Sequence, residues 1–359
     1  MTRKAVVAMS GGVDSSAAAY LLQQSGFTCI GITLKLFSNA DLGRSRGKTC
    51  CSLGDVRDAQ SVAYRLSMPH YVLNFAEDFK NQVIHKFIET YQNGNTPNPC
   101  IDCNRKLKFE GLLRRAEQLD FEYIATGHYA RIERSGDRFL LKKARDAKKD
   151  QSYVLYTMTQ RQLARTLFPL GDMTKAEVRD LAETRGFVNA QKQDSQDLCF
   201  VPDGDYAGFI ERYTGSTAPP GPIVDETGTI LGMHRGLIRY TIGQRRGLGL
   251  SASKPRYVQR KSAADNTLIV SGEDRLYAKG LIAENINLIA ADSLEKPLRG
   301  KAKTRYLQTE QPAIAEQISP DRLRIDFDEP QRAVTPGQAA VLYDGETVVG
   351  GGTITSVLF

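Results

Sequence analysis

The stretch Ser10-Gly11-Gly12-Val13-Asp14-Ser15-Ser16 holds the residue types and spacing that point most directly at chemistry. Ahead of it, Lys4 to Met9 is a short apolar, β-branched run that reads as a buried strand. Behind it, Ala17 to Leu22 is a run of helix formers that ends near Gly26. Strand, glycine turn and helix in that order make a cradle for phosphate. Gly11 and Gly12 have no side chain to keep an anion from the backbone N–H groups, and the first helical turn adds free N–H groups and the positive end of the helix dipole. Ser15 and Ser16 sit where N-caps sit and add hydroxyl donors. The Gly-Lys-Ser/Thr ending of a Walker A loop is absent.

Thiols are the second resource. Thr96-Pro97-Asn98-Pro99-Cys100-Ile101-Asp102-Cys103-Asn104 reads as a rigid, extended, proline-bound loop, with a helix following over Lys106 to Leu113. Cys103 then lies just ahead of a helix N-terminus, with Arg105, Lys106 and Lys108 close in sequence. Both effects favour the thiolate over a thiol whose ordinary pKa is about 8.5. The Cys100/Cys103 spacing admits three readings. A zinc site needs a second Cys or Cys/His pair, and none stands at suitable spacing. A dithiol redox motif belongs to a thioredoxin-like unit, which this is not. A nucleophilic thiol on a substrate loop is the preferred reading, and an iron–sulfur cluster on Cys100, Cys103 and a distant cysteine stays open. Cys199, in the polar turn Asp194 to Phe200, is left undecided by the residues alone. Cys29, Cys50 and Cys51 read as structural thiols.

The elements that would position these groups follow a Rossmann-like rhythm. Further strands are expected over Thr28–Phe37, Tyr71–Phe75 and Phe121–Thr126, and helices over Asp55–Leu66, Phe79–Tyr91, Arg161–Leu170 and Lys175–Gly186. In a doubly wound sheet, strand C-termini gather at one edge. That places Leu34 as a wall for an adenine, and Gly127 and His128 beside the phosphate cradle. Thr174 with Glu177 forms a capping box. Asn39 to Lys48 reads as a mobile basic loop. The basic run up to Lys149 leads into Asp150-Gln151-Ser152-Tyr153, a hydrogen-bonding set with an aromatic for stacking. After Pro202 the composition turns Gly- and Arg-rich, as for a small basic β domain suited to an RNA backbone. From about Leu276, short strands without helices predict a β-barrel.

Length and composition agree with this organisation. A chain of 359 residues with 41% hydrophobic content builds more than one core, and a net charge of +7 permits a polyanionic partner. No apolar run approaches the roughly 20 residues of a membrane span, and the N-terminus is not a signal peptide, so no membrane partner and a cytoplasmic location are expected. Six cysteines in this length do not make a disulfide scaffold.

SGGxDS resembles the PP-loop of the ATP pyrophosphatases, which split ATP between the α and β phosphates. SGGVDSS, TPNPC-ID-CN with its following KF, ATGHY, KDQSY, SQDLCF, GQRRGLG and LYDGETVVGGG occur in that order. The ordered set resembles the tRNA-specific 2-thiouridylase family along the whole chain. The resemblance implies an α/β fold class: an N-terminal doubly wound parallel sheet of the adenine nucleotide α-hydrolase type over 1–203, a small central β-rich tRNA-binding domain over 204–276 and a C-terminal β-barrel over 277–359. It implies ATP with Mg²⁺ on Ala8, Met9, Ser10, Gly11, Gly12, Val13, Asp14 and Ser15, helped by Leu34 and Gly127, and no resident metal. Cys103 matches the family's nucleophile and Cys199 its persulfide carrier. Asn98, Pro99 and Cys100 match the segment that meets the target base. His128, Lys149, Asp150, Gln151, Arg305, Tyr306 and Gln338 match tRNA-contacting positions. The implied partners are a tRNA, through its wobble uridine, and a persulfide sulfur-donor protein. The implied byproduct is a Cys103–Cys199 disulfide. Many members carry Asp where this chain has Cys100; an acid–base role there would fall to a thiol, a water or Asp102.

Overall fold

A computed structural model describes residues 3–37, 53–193, 198–251 and 254–359. The expected basic loop Asn39 to Lys48, the thiols Cys50 and Cys51, and the polar turn 194–197 lie outside the described residues. The chain divides into two compact units. One holds residues 1–83, 100–204 and 346–348, and the other holds 84–99, 205–345 and 349–359.

The first unit is built on β1 (Lys4–Ala8), β2 (Thr28–Lys35), β3 (His70–Asn74), β4 (Tyr123–Ala125), a hairpin of β5 (Arg131–Ser135) and β6 (Arg138–Lys142), and β7 (Thr166–Leu167). Five of these form a parallel sheet in the order β3-β2-β1-β4-β7. The order reverses direction at β1, so the crevice for a ligand opens beyond the C-terminal ends of β1 and β4. Val6, Val7 and Ala5 are fully buried, as expected of a strand covered on both faces. The helix Val13–Gln24 packs on β1 through Val13, Ala17, Ala18 and Leu22, and the helix Leu53–Arg65 joins the same core through Ala59, Val62 and Ala63.

Several sequence expectations shift. The helix expected over Phe79–Tyr91 begins earlier, at Ala76, and passes through a π-helical turn at Lys80–Ile84 before the α-helix His85–Gln92. The helix expected over Arg161–Leu170 stops at Ala164, because Thr166–Leu167 joins the sheet edge. The Thr174–Glu177 capping box forms at the start of the helix Lys175–Thr184. The largest shift concerns the proline loop. Pro99 does not hold the chain extended; it is the first residue of the helix Pro99–Asp102, where its missing N–H is no loss. That helix runs on as a π-helix over Cys103–Gly111 and an α-helix over Leu112–Gln118. Cys103 therefore lies inside a helix, not ahead of one.

The second unit holds two β structures. The helix Tyr206–Thr214, N-capped by Asp205 and ended by left-handed Gly215, precedes the smaller one. The strands β8 (Gly221–Val224), β9 (Ile230–His234), β10 (Tyr257–Ser262) and β11 (Thr267–Ser271) form a sheet in the order β10-β11-β8-β9 over Ile223, Leu248, Val258, Leu268 and Val270. Then β12 (Tyr277–Leu288), β13 (Leu298–Lys303), β14 (Gln311–Ser319), β15 (Arg322–Arg332), β16 (Ala339–Asp344) and β17 (Thr347–Leu358) run in the order β12-β15-β14-β13-β16-β17. The pairing of β12 with β17 closes this barrel. Its strands alternate buried and exposed side chains, as β14 does with Ala313 and Ala315 inward.

Candidate active site

Residues 9–12 connect β1 to the helix Val13–Gln24, and the loop holds its shape through its own hydroxyls. Ser10 N donates to Ser15 Oγ at 3.2 Å, and Ser15 Oγ donates to the Gly12 carbonyl at 2.9 Å. Ser16 Oγ donates to that same carbonyl at 3.1 Å. The N-cap is Gly12, with no side-chain cap bond, so the two serines stand in the first turn and not at the cap. Met9 N donates to Ile32 O at 2.8 Å and Thr33 Oγ1 to Met9 O at 2.7 Å, which sets the end of β2, with Leu34, beside the loop entrance.

Two glycines allow close approach. Gly11 has φ +75, and a Cβ there would lie 2.2 Å from the Asp55 carbonyl oxygen. Gly127, just beyond β4, lies against the helix start: a Cβ on it would come within 2.7 Å of Asp14 C and Ser15 N. The loops after β1 and β4 thus meet at the reversal point of the sheet.

Four residues that local spacing did not reveal hold this loop. Asn189 Nδ2 donates to Gly11 O at 3.0 Å and to Ser16 Oγ at 2.9 Å. Lys192 Nζ donates to Gly11 O at 3.1 Å and to Asp55 Oδ1 and Asp58 Oδ2, both at 2.6 Å. Burial alone would lower the Lys192 pKa, but its bonds to Asp55 and Asp58 outweigh that and raise it. Asp14 accepts from Lys175 Nζ at 2.7 and 2.8 Å and from Tyr129 OH at 2.8 Å. Nothing in a linear sequence ties residues this far apart; Lys175 stood out only as the first residue after the N-cap Thr174, and Tyr129 only as the last of ATGHY.

The Lys175–Asp14 pair has side chains 11% and 31% exposed. Breaking a buried pair costs about 3–5 kcal/mol, and the exposure of Asp14 reduces this to about 1–3 kcal/mol. Urea unfolding of Lys175→Met is expected to show that loss, and Lys175→Met with Asp14→Asn to recover part of it. Equal stability of wild type and the single variant would contradict the pair's role.

The thiols occupy distinct surroundings. Cys103 is buried at 9% exposure. Burial raises its pKa above the ordinary thiol value, Lys108 opposes that, and Asp102 adds to it. The expected ready thiolate is thus a thiol in this state. The supporting cations are also fewer than the sequence implied: Arg105 is exposed, and Lys106 pairs with Glu110 at 3.1 Å. Cys100 keeps solvent-exposed surface, although the protein packed around its sulfur pushes the thiol up to about 11. The exposure makes it the more accessible of the two to a reagent. Cys199 is half-buried and precedes Phe200, which packs edge-on against Phe79 at 5.6 Å. Cys29 is buried, with its thiol pushed up to about 11, and is structural. No disulfide joins the described cysteines, and among the described residues no three His, Cys, Asp or Glu side chains gather to hold a metal.

The residues expected to meet RNA are largely engaged by the protein. His128 is buried, bonded through Nδ1 to Thr126 Oγ1 at 2.7 Å, and lies against Phe109 and Phe168. Burial first, and Lys108 second, hold its pKa well below the usual value, so the ring is neutral. Asp150 accepts from Ala144 N and Ser152 Oγ, and Gln151 Oε1 accepts from Tyr129 N at 2.9 Å, while Lys149 beside them is half-buried. These bonds fix the segment after β6 against the loop after β4. In the second unit, Gln338 Nε2 donates to Thr96 O at 2.9 Å and Pro97 O at 3.0 Å, which steadies the chain just before Asn98. Arg305 donates to the Ala333 carbonyl and, at 3.4 Å, to Thr335 Oγ1, with Tyr306 partly exposed beside it. Arg245, Lys254 and Arg256 line one concavity beside β10.

No helix among the described residues is long and apolar enough to cross a membrane. Residues 3–203 match the family described as tRNA methyl transferase HUP domain, 207–272 the tRNA methyl transferase PRC-barrel domain, and 278–354 the aminomethyltransferase beta-barrel domain. The chain is 48% identical to the tRNA-specific 2-thiouridylase MnmA of Clostridioides difficile over 100% of its own length and 99% of the relative's. It is 48% identical to that of Acetivibrio thermocellus over 98% and 99%. Among solved structures, a 4-thiouridine synthetase–RNA complex with bound ATP matches 56% of this chain and 45% of its own, at 19% identity and a TM-score of 0.35, a likeness too slight to carry an argument. The domain descriptions name methyl and aminomethyl transfer, but the relatives that match end to end are named 2-thiouridylases. The chain belongs to the tRNA-specific 2-thiouridylase family.

Proposed function

We propose that this chain is an ATP-dependent tRNA-uridine 2-sulfurtransferase that acts on the wobble uridine. The observation that carries the reading is the near-complete, 48% identical alignment with the 2-thiouridylases. The loop Ala8 to Ser15, with Leu34 and Gly127 beside it, binds ATP; free helix N–H groups and close-approaching glycines suit a polyphosphate. Mg²⁺ accompanies the ATP phosphates. Asp14, the one carboxylate between Ala8 and Ser15, is already engaged by Lys175 and Tyr129, so the ion would be held chiefly by the phosphates it arrives with.

A uracil C2 carbonyl is a poor electrophile with a poor leaving group. The C2 oxygen attacks the α-phosphorus of ATP and expels pyrophosphate, which makes that oxygen part of a departing AMP. The terminal sulfur of a Cys199 persulfide, loaded by a sulfur-donor protein, bonds to C2 as AMP leaves. The Cys103 sulfur then attacks the Cys199 Sγ, breaks the S–S bond, and leaves sulfur on C2 and a Cys103–Cys199 disulfide. A dithiol reductant resets the pair with two electrons. Disulfide formation needs the two Cα atoms within about 6–7 Å at that moment. The base must also leave its stack, where Asn98, Pro99 and Cys100 meet it. Arg245, Lys254 and Arg256 suit RNA phosphates, and the divisions 1–203, 204–276 and 277–359 separate chemistry from RNA holding.

Incubation with ATP, unmodified tRNA and a persulfide donor is expected to yield pyrophosphate, AMP and 2-thiouridine in equal amounts, with the thionucleoside at the wobble position. Pyrophosphate release indifferent to tRNA would favour a small-molecule ligase instead. Activity that follows bound iron after anaerobic purification would favour a cluster-dependent thiolase.

A further inference from the structure

The helix that carries the reactive thiol has an irregularity with chemical consequences. In an α-helix, residues five apart are separated by roughly 140° around the axis, which puts them on nearly opposite faces. The segment Cys103–Gly111 is π-helical, with bonds running i→i+5. Its wider turn brings residues five apart to within roughly 50° of each other. Lys108 follows Cys103 by five positions, and Cys100 precedes it by three, one helical turn back.

We propose that Lys108 is the positioning charge for the Cys103 sulfur: the π-helical stretch turns its ammonium group onto the face that carries Cys100 and Cys103, where it supports the sulfur as an anion. The assignment rests on the function proposed above, which makes Cys103 the attacking thiol. The surroundings agree with it. The charge of Lys108 is felt by Cys100, Cys103 and His128 together, so these groups form one cluster. Burial works against the Cys103 anion, Asp102 on its own helix adds to that, and Lys108 works for it. Lys106 on the same helix is paired with Glu110. The loop after β4 brings the neutral ring of His128, already bonded to Thr126. The helix Ser152–Leu155 contributes Tyr153 and the Val154 carbonyl that accepts from Asn104 Nδ2 at 3.3 Å. The helix Ala76–Phe79, with Glu77 and Asp78, packs near Gly111, where Phe75 fills the space a side chain would need. π-Helical turns often mark functional sites; here the turn places a cation that a regular helix would point away.

The test is the pH profile of Cys103 alkylation by iodoacetamide, read by peptide mass spectrometry in the Cys100→Ser/Cys199→Ser protein, with no tRNA or ATP. Lys108→Met is expected to move the profile's midpoint up by about one pH unit, a roughly tenfold slower alkylation at pH 8. Lys108→Gln should do the same, and it stands in if the Met variant does not fold. Lys108→Arg should restore most of the rate, and Lys106→Met should leave the midpoint in place. An unmoved midpoint in a folded Lys108→Met or Lys108→Gln overturns the assignment, as does an equal shift in Lys106→Met. Because the readout needs no tRNA, an unmoved midpoint beside intact thiolation defeats this inference alone. Thiolation that survives loss of Cys103 would instead defeat the functional reading.

Discussion

Cys103→Ser and Cys199→Ser are each expected to lower 2-thiouridine formation by a factor on the order of 10³ or more, while ATP binding persists. The reason lies in the chemistry of sulfur. A serine hydroxyl cannot carry a terminal sulfur, and at neutral pH it cannot attack a disulfide-like S–S bond as a cysteine sulfur does. The two losses should differ in kind. Cys199→Ser cannot be loaded, so radiolabelled sulfur from a persulfide donor stays off the protein. Cys103→Ser can be loaded and can bond its sulfur to the base, but it lacks the group that releases the product. It is therefore expected to trap a covalent tRNA–protein adduct through Cys199 that dithiothreitol dissolves. Cys199 has the half-buried setting that loading needs, whereas Cys103 is almost wholly buried. Thiolation by either purified variant above a tenth of the wild-type rate, with the same donor, would remove the two-thiol mechanism.

Gly11→Ala is expected to produce the second large effect. Gly11 sits at φ +75, which costs a residue with a Cβ about 1–2 kcal/mol, and the new methyl would lie 2.2 Å from the Asp55 carbonyl oxygen. Relief requires the loop to move off the start of the helix Leu53–Arg65, at about 1–3 kcal/mol more. That movement also pulls Gly11 O away from Asn189 and Lys192. The expected outcome is a stability loss of about 2–5 kcal/mol in urea and an ATP affinity lower by at least about tenfold. A folded Gly11→Ala protein with unchanged ATP affinity, by calorimetry, would mean that the loop is not where the nucleotide binds.

The sequence by itself determined the strand, glycine turn and helix at the front of the chain. Strand, glycine pair and helix adjoin within twenty residues, so local rules suffice: Gly11 and Gly12 are legible because no other residue gives backbone this access. It also determined the order of the fold, since hydrophobic runs at the sheet and barrel spacings leave few arrangements. Part of the charge near Cys103 misled, because adjacency in sequence is not proximity: Lys106 turned to Glu110, Arg105 to the surface, and burial outweighs what Lys108 offers the thiol. Pro99 misled for a related reason, since a proline that breaks a helix from within can also begin one. Only the tertiary structure decided that Lys175 and Tyr129 hold Asp14, that Asn189 and Lys192 hold Gly11, and that Gly127 touches the helix start. Those contacts join residues more than a hundred positions apart, and their partners are chosen by how the strands order themselves in a sheet. Side-chain chemistry is local and can be read along the chain, but burial and pairing belong to the packed whole.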